Sequence, residues 1–164
     1  MKKNLHAKAY FILWVTLQST WGVRVLCPST AMVSVLLAFT PLSALGLRAI
    51  RGAIQVPANT AADIAAGVQE LVSAILEANQ LVPSDVISVF FTSTVDLNAA
   101  FPAAACREMG FANVPLIGSV EVDVPGALKR TIRAMFHVES TKAADQISHI
   151  YLHGAAALRR DIAQ

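Results

Sequence analysis

Cysteine is scarce in this chain. Cys27 and Cys106 are the only two in 164 residues, and no CxxC or Cys/His spacing surrounds either. That excludes a structural zinc site and a disulfide framework, and it reads as two free thiols in a reducing compartment. Histidine is nearly as sparse: His6, His137, His149 and His153 are not spaced as a metal cluster. Glycine-rich phosphate loops of the GxGxxG and GxxxxGK[ST] types are missing, as are HExxH and GxSxG. Acidic side chains are absent from residues 1–46, which carry Lys2, Lys3, Lys8 and Arg24. All 11 acidic residues lie beyond, so the formal net charge of +2 comes from the N-terminal piece and implies no nucleic-acid surface on the domain.

That N-terminal piece, 1–46, reads as an extension of the domain that follows. Lys2-Lys3 before the run "AYFILWVTL" resembles the start of a secretory signal. The second apolar run, "MVSVLLAFTPLSALGL", holds Pro41 and is shorter than the roughly 20 residues that span a bilayer. Three readings stand: upstream sequence outside the working domain (Met32 being the next methionine), a targeting or membrane-associating segment, or a part of the fold. Membrane contact is expected only if this segment is retained.

From Leu47 the pattern becomes regular, and 47–164 is read as one domain. A strand is expected over 47–56 and a helix over 59–81, capped by Asn59 or Thr60 and striped by Ile64, Val68, Leu71, Val72, Ile75 and Leu76. A strand at 85–96 follows, then a shorter helix at 98–111 with Pro102 in its first turn and Gly110 at its end. An extended segment at 114–124 turns at Pro125-Gly126, and strands at 127–140 and 146–159 complete the domain. In the last of these His149, Tyr151 and His153 share a face. This order, βαβα and then mostly β, predicts an α+β fold with a mixed sheet and packed helices.

Within these elements, arginine sits where core is expected. Arg51 interrupts "LRAIRGAIQV", a strand apolar on both sides of it, with Gly52 beside it allowing close approach. An arginine drawn out of water needs an anion to offset its desolvation, and its planar fork suits a carboxylate or phosphate. Arg48 points to the other face, and an ion pair with a structural or subunit-interface role is expected for it. In "TIRAMFHV", Ile132, Ala134, Phe136 and Val138 form an apolar face and Arg133 points the other way. Glu121 shares a face with Ser119 and Asp123, and Arg107 follows the helix begun at "AFPAAAC". Taken singly, each of these last three suits a solvated face. Together with Arg51 they point to a small pocket of guanidinium groups with a carboxylate, fitted to a small polyanionic ligand.

Four stretches, "RAIRGAIQV…NT", "DLNAAFPAAACRE", "VPLIGSVEVDVPGALKRTIR" and "HIYLHGAAALR", resemble the small trimeric α/β-barrel chorismate mutases, in order and spacing over about residues 47–161. The resemblance implies a pseudo-α/β barrel assembled as a homotrimer, with active sites between subunits. It implies isomerisation of chorismate to prephenate on the route to phenylalanine and tyrosine, with no metal or cofactor, in the cytoplasm. Residue by residue, it puts Arg51 on a substrate carboxylate, Arg133 on the ether oxygen, Glu121 on the ring hydroxyl and Tyr151 on a carboxylate. Phe101 and Arg107 match residues given across the subunit boundary, and Ala103 matches a small residue in the wall. Leu158 and Arg159 match the C-terminal closing segment. Gly118 departs from the pattern, since the family commonly has cysteine there. A trimeric imine deaminase-like enzyme, a non-catalytic binder of a small carboxylate metabolite, and a small membrane-associated protein are the alternatives.

Overall fold

Residues 45–161 are described by a computed structural model; the expectations for the N-terminal extension and Cys27 lie outside them. Five strands form one mixed sheet in the order β3-β2-β4-β1-β5. They are β1 (Gly46–Gln55), β2 (Val86–Ser93), β3 (Leu116–Val120), β4 (Thr131–Ser140) and β5 (Ile150–Leu152). Among the described residues two α-helices, α1 (Ala61–Asn79) and the short α2 (Pro102–Cys106), accompany the sheet, with short 3₁₀ and π turns between elements. The expected α+β class holds.

The centre of the sheet is antiparallel: β4 pairs with β1 on one side and β2 on the other. The outer strands, β3 on β2 and β5 on β1, are parallel. Alternation decides which face is covered. Ile50, Gly52 and Ile54 of β1 and Ile132, Ala134, Phe136 and Val138 of β4 are buried, as the apolar spacing requires. Phe136 receives Phe91 and Phe111 edge-on, with ring centroids 6.5 and 6.2 Å apart, the favoured arrangement for aromatic pairs.

Helix α1 supplies the cover. Thr60, not Asn59, caps it, accepting the Asp63 N–H at 3.0 Å. Asn59 instead accepts the N–H groups of Asn98 and Ala99 at 3.1 and 3.0 Å, tying down the loop after β2. The helix stops at Gln80, whose left-handed backbone lets its N–H and that of Leu81 return to the last carbonyls. Gly52 faces this helix, because a Cβ there would sit 2.6 Å from Ile75 Cδ1. Its missing side chain thus lets helix α1 approach from one face, while its backbone lines a cleft with Arg51 on the other.

Several boundaries differ from expectation, each for a local reason. Strand β2 ends at Ser93, and β3 occupies only the middle of the expected 114–124 segment. Strand β4 starts at Thr131, because Gly126 (φ 83°) and Arg130 (φ 51°) turn the chain before it. The helix expected over 98–111 is only α2 followed by a wide turn, Arg107–Phe111, broken by Gly110 at φ 96°. The strand expected over 146–159 survives as β5 alone. His153 leaves it with φ 52°, and His153–Arg159 winds as a 3₁₀ turn. His153 consequently leaves the face of Tyr151 and meets Glu70 of helix α1.

Candidate active site

The face of the sheet opposite α1 carries the charged residues. Arg133 stands on β4, the central strand, opposite Ala53 of β1 and Thr92 of β2. Arg51 lies two residues earlier on β1, opposite Met135. Tyr151 lies on β5 opposite Ala53. With Ala155, Leu128 and Leu158, Ala53 and Tyr151 form a small apolar cluster separate from the main core. Arg51, Arg133, Glu121, Tyr151, Leu158 and Arg159 line one cleft of ≈390 Å³, together with Phe90, Thr92 and Met135.

Glu121 reaches this cleft from just beyond β3, where its N–H extends the ladder to Ser93 O at 2.9 Å. Its Oε1 accepts the Thr92 hydroxyl and lies 3.4 Å from Arg133 Nε. The loop that follows is anchored where it rejoins the sheet: Arg130 N–H donates to Asp96 at 2.9 Å and Val56 N–H to Arg130 O at 2.8 Å. Arg133 keeps 44% of its side-chain surface and Glu121 23%, so water screens the pair. The guanidinium stays open to a further oxygen ligand.

Arg51 is fixed through its backbone. Because β5 begins only at Ile150, the Arg51 N–H donates to His149 Nδ1 at 3.1 Å. Burial, reinforced by the charges of Arg51 and Arg159, holds the His149 imidazole below its usual range. A neutral ring is the form able to accept at Nδ1. Arg159 forms a forked pair with Asp161 at 2.9 and 2.7 Å. That contact, opposed by slight desolvation and helped by the charges of Arg159 and Arg51, brings the Asp161 carboxyl down to about 2.

Phe101, Ala103, Arg107 and Gly118 are not in this cleft. They line a second one of ≈690 Å³, between α2 and the outer strand β3, with Thr92 contributing to both walls. Phe101 is 83% exposed and Arg107 also faces solvent, whereas Ala103 is buried. Among the described residues beyond its chain neighbours, none lies within 4 Å of where a Gly118 Cβ would be. Cys106 packs in the core, where burial pushes its thiol up to about 12 against the opposing charge of Arg107. It remains protonated and is no nucleophile.

Two contacts went unread in the sequence. Thr92 shares a face with Phe90 in "SVFFTST", so its direction was available from alternation, but its carboxylate partner was not. His149 gave no sign that it would bind the backbone of β1. Arg48 departs from the expected intrachain ion pair: among the described residues its Nε donates to Lys142 O at 2.7 Å and its Nη1 to Leu47 O at 2.9 Å.

Residues 47–162 match the family model described as chorismate mutase type I. The chain belongs to the chorismate mutase type I family. Among relatives of this family, "Chorismate mutase AroH" of Bacillus subtilis is 40% identical over 117 residues, covering 71% of this chain and 92% of that protein. "Chorismate mutase AroH" of Thermus thermophilus is 41% identical over 117 residues, covering 71% and 96%. A solved chorismate mutase from Clostridium thermocellum superposes with a TM-score of 0.65 at 48% identity, covering 66% of this chain and 97% of its own. The chorismate mutase match thus spans the sheet, both helices and both clefts.

Proposed function

We infer that this chain isomerises chorismate to prephenate, using the cationic cleft on the open face of the sheet. One observation carries the reading: three guanidinium groups, Arg51, Arg133 and Arg159, and a single carboxylate, Glu121, line one small cleft. Such a cleft suits a compact dicarboxylate. The rearrangement breaks an ether C–O bond as a C–C bond forms within the same molecule, so no nucleophile or proton transfer is required. What the protein must do is hold the reactive folded conformer and stabilise charge gathering on the ether oxygen.

Each side chain then has a distinct task. Arg51 grips one carboxylate, with its backbone held by His149. Tyr151 contacts a carboxylate from β5. Arg133 donates to the ether oxygen, where negative charge is greater in the transition state than in the bound substrate. Glu121, oriented by the Thr92 hydroxyl, accepts the ring hydroxyl. Leu158 and Arg159 close the cleft from the C-terminal side, and Arg159 exchanges Asp161 for substrate.

The working form is a homotrimer whose active sites join the first cleft of one subunit to the second cleft of its neighbour. Three features support this assembly. Phe101, Arg107, Ala103 and Gly118 are separated from the arginine cleft within one chain. Among the described residues no strand pairs with the outer edge of β3, and proteins ordinarily cover such an edge. Ile117, Val120 and Phe101 beside it are exposed apolar groups. The substrate is an intracellular metabolite, so the cytoplasm is the expected location.

Mixing two inactive variants tests this reading. Arg133→Ala disables the first cleft and Arg107→Ala the second. Co-refolded subunits should recover up to about a quarter of the wild-type activity, since one random pairing in four joins two intact halves. Failure to recover any activity, with both variants folded, would place the whole site within one chain.

A further inference from the structure

Helix α1 grips the β5 segment at two points. At the start, Asn79, only 2% exposed, accepts the Ser148 N–H and donates to the Ser148 carbonyl, both at 2.9 Å. At the end, His153 Nε2 stands 3.0 Å from Glu70 Oε1 and 3.1 Å from Oε2. Between these points lie Ile150, Tyr151 and Leu152. Beyond the second begins the 3₁₀ turn that carries Leu158 and Arg159 to the cleft.

The backbone at the second point is unusual. His153 has φ 52°, in the left-handed region where a side chain is disfavoured and glycine is not. Gly154 next to it answers a different need, because a Cβ there would run into the Gln55 side chain. A histidine held in a conformation better suited to glycine calls for a compensating contact. Among the described residues, that contact is the Glu70 carboxylate.

We propose that Glu70 is a positioning residue which, through His153, latches the closing segment to helix α1 and so sets Leu158 and Arg159 over the cleft. Neither Glu70 nor His153 touches the cleft, so the latch acts only through the placement of the turn. This proposal rests on the reading of Leu158 and Arg159 as the cleft's closing residues. Both partners of the pair are about half exposed, which keeps the expected effect small.

His153→Gly separates a latch from a merely structural contact. It relieves the backbone and should leave the melting temperature unchanged or higher, yet kcat/KM for chorismate should fall about two- to fivefold, the range for losing an exposed pair. The Glu70→Lys variant should show a similar fall, and the charge-exchanged double variant Glu70→Lys/His153→Glu should recover most of it. Wild-type kcat/KM in His153→Gly, or no recovery in the double variant, overturns the latch. Arg159→Ala, measured alongside, keeps the two ideas apart. If it lowers kcat/KM while the latch variants do not, the latch alone fails; if it is also neutral, the closing role of the segment fails with it.

Discussion

Replacing Arg133 by citrulline keeps the shape and most hydrogen-bonding groups of the side chain but removes its charge. If about half a unit of negative charge gathers on the ether oxygen some 3 Å from the guanidinium, an effective dielectric of about 20 gives ~2.8 kcal/mol of selective stabilisation. At about 1.4 kcal/mol per decade, kcat should fall about 100-fold. The open position of Arg133 argues against a larger figure while the cleft is wet. Its pairing with Glu121 3.4 Å away argues that the charge is already in place before substrate arrives. Initial rates from the decay of chorismate absorbance supply the measurement, with circular dichroism to verify folding. A kcat within about threefold of wild type would refute the electrostatic account of this residue, because the lost charge could then be worth no more than ~0.7 kcal/mol.

Arg51→Ala should act mainly on KM, raising it about tenfold or more, the scale of a lost charged hydrogen bond; an unchanged KM would remove its carboxylate role. Gly67→Ala should lower stability by about 1–3 kcal/mol despite the better helix propensity of alanine, because the new Cβ would lie 2.5 Å from Cγ1 of Val56, which is buried. An unchanged urea midpoint would show that Val56 yields freely. His149 should make folding sensitive to mild acid. Its folded-state affinity for a proton is depressed, so its contribution is complete above the unfolded value of about 6.5 and is lost as pH falls from there through the lower folded value. Chemical denaturation at several pH values should show this loss in wild type and not in His149→Asn; identical profiles would count against a neutral His149.

Much of this architecture could be read from residues alone. The stripe from Ile64 to Ile75 and the alternation from Ile132 to Val138 report burial directly, because only one face of each element meets the core. Legibility failed where conformation depends on a single backbone angle or on a distant partner. "IYLHGAAAL" continues apolar past Leu152, yet the left-handed turn at His153 ends the strand there. Gly154 was the one visible breaker. Asn59 and Thr60 were equal candidates for the cap until the loop at Asn98 claimed Asn59. Gly52 beside Arg51 lines the cleft as its position in the sequence suggests, but the helix it admits on the other face, at Ile75, left no local sign. Within the described residues Arg48 meets carbonyls of Lys142 and Leu47, contacts that no residue type in the sequence announces. Residue type groups Arg107 with Arg51, yet it lines the second cleft with Phe101; the assembly proposed above would bring the two clefts together.

The most direct test of the central claim is to add the purified protein to chorismate and follow both the loss of its absorbance and the appearance of prephenate. The account predicts a first-order rate at saturation at least about 10⁶ times the uncatalysed one, corresponding to on the order of 8 kcal/mol of transition-state stabilisation. It predicts that prephenate accumulates in step with chorismate lost. A trace that stays at the uncatalysed rate with folded wild-type protein, or loss of chorismate without prephenate, would contradict it.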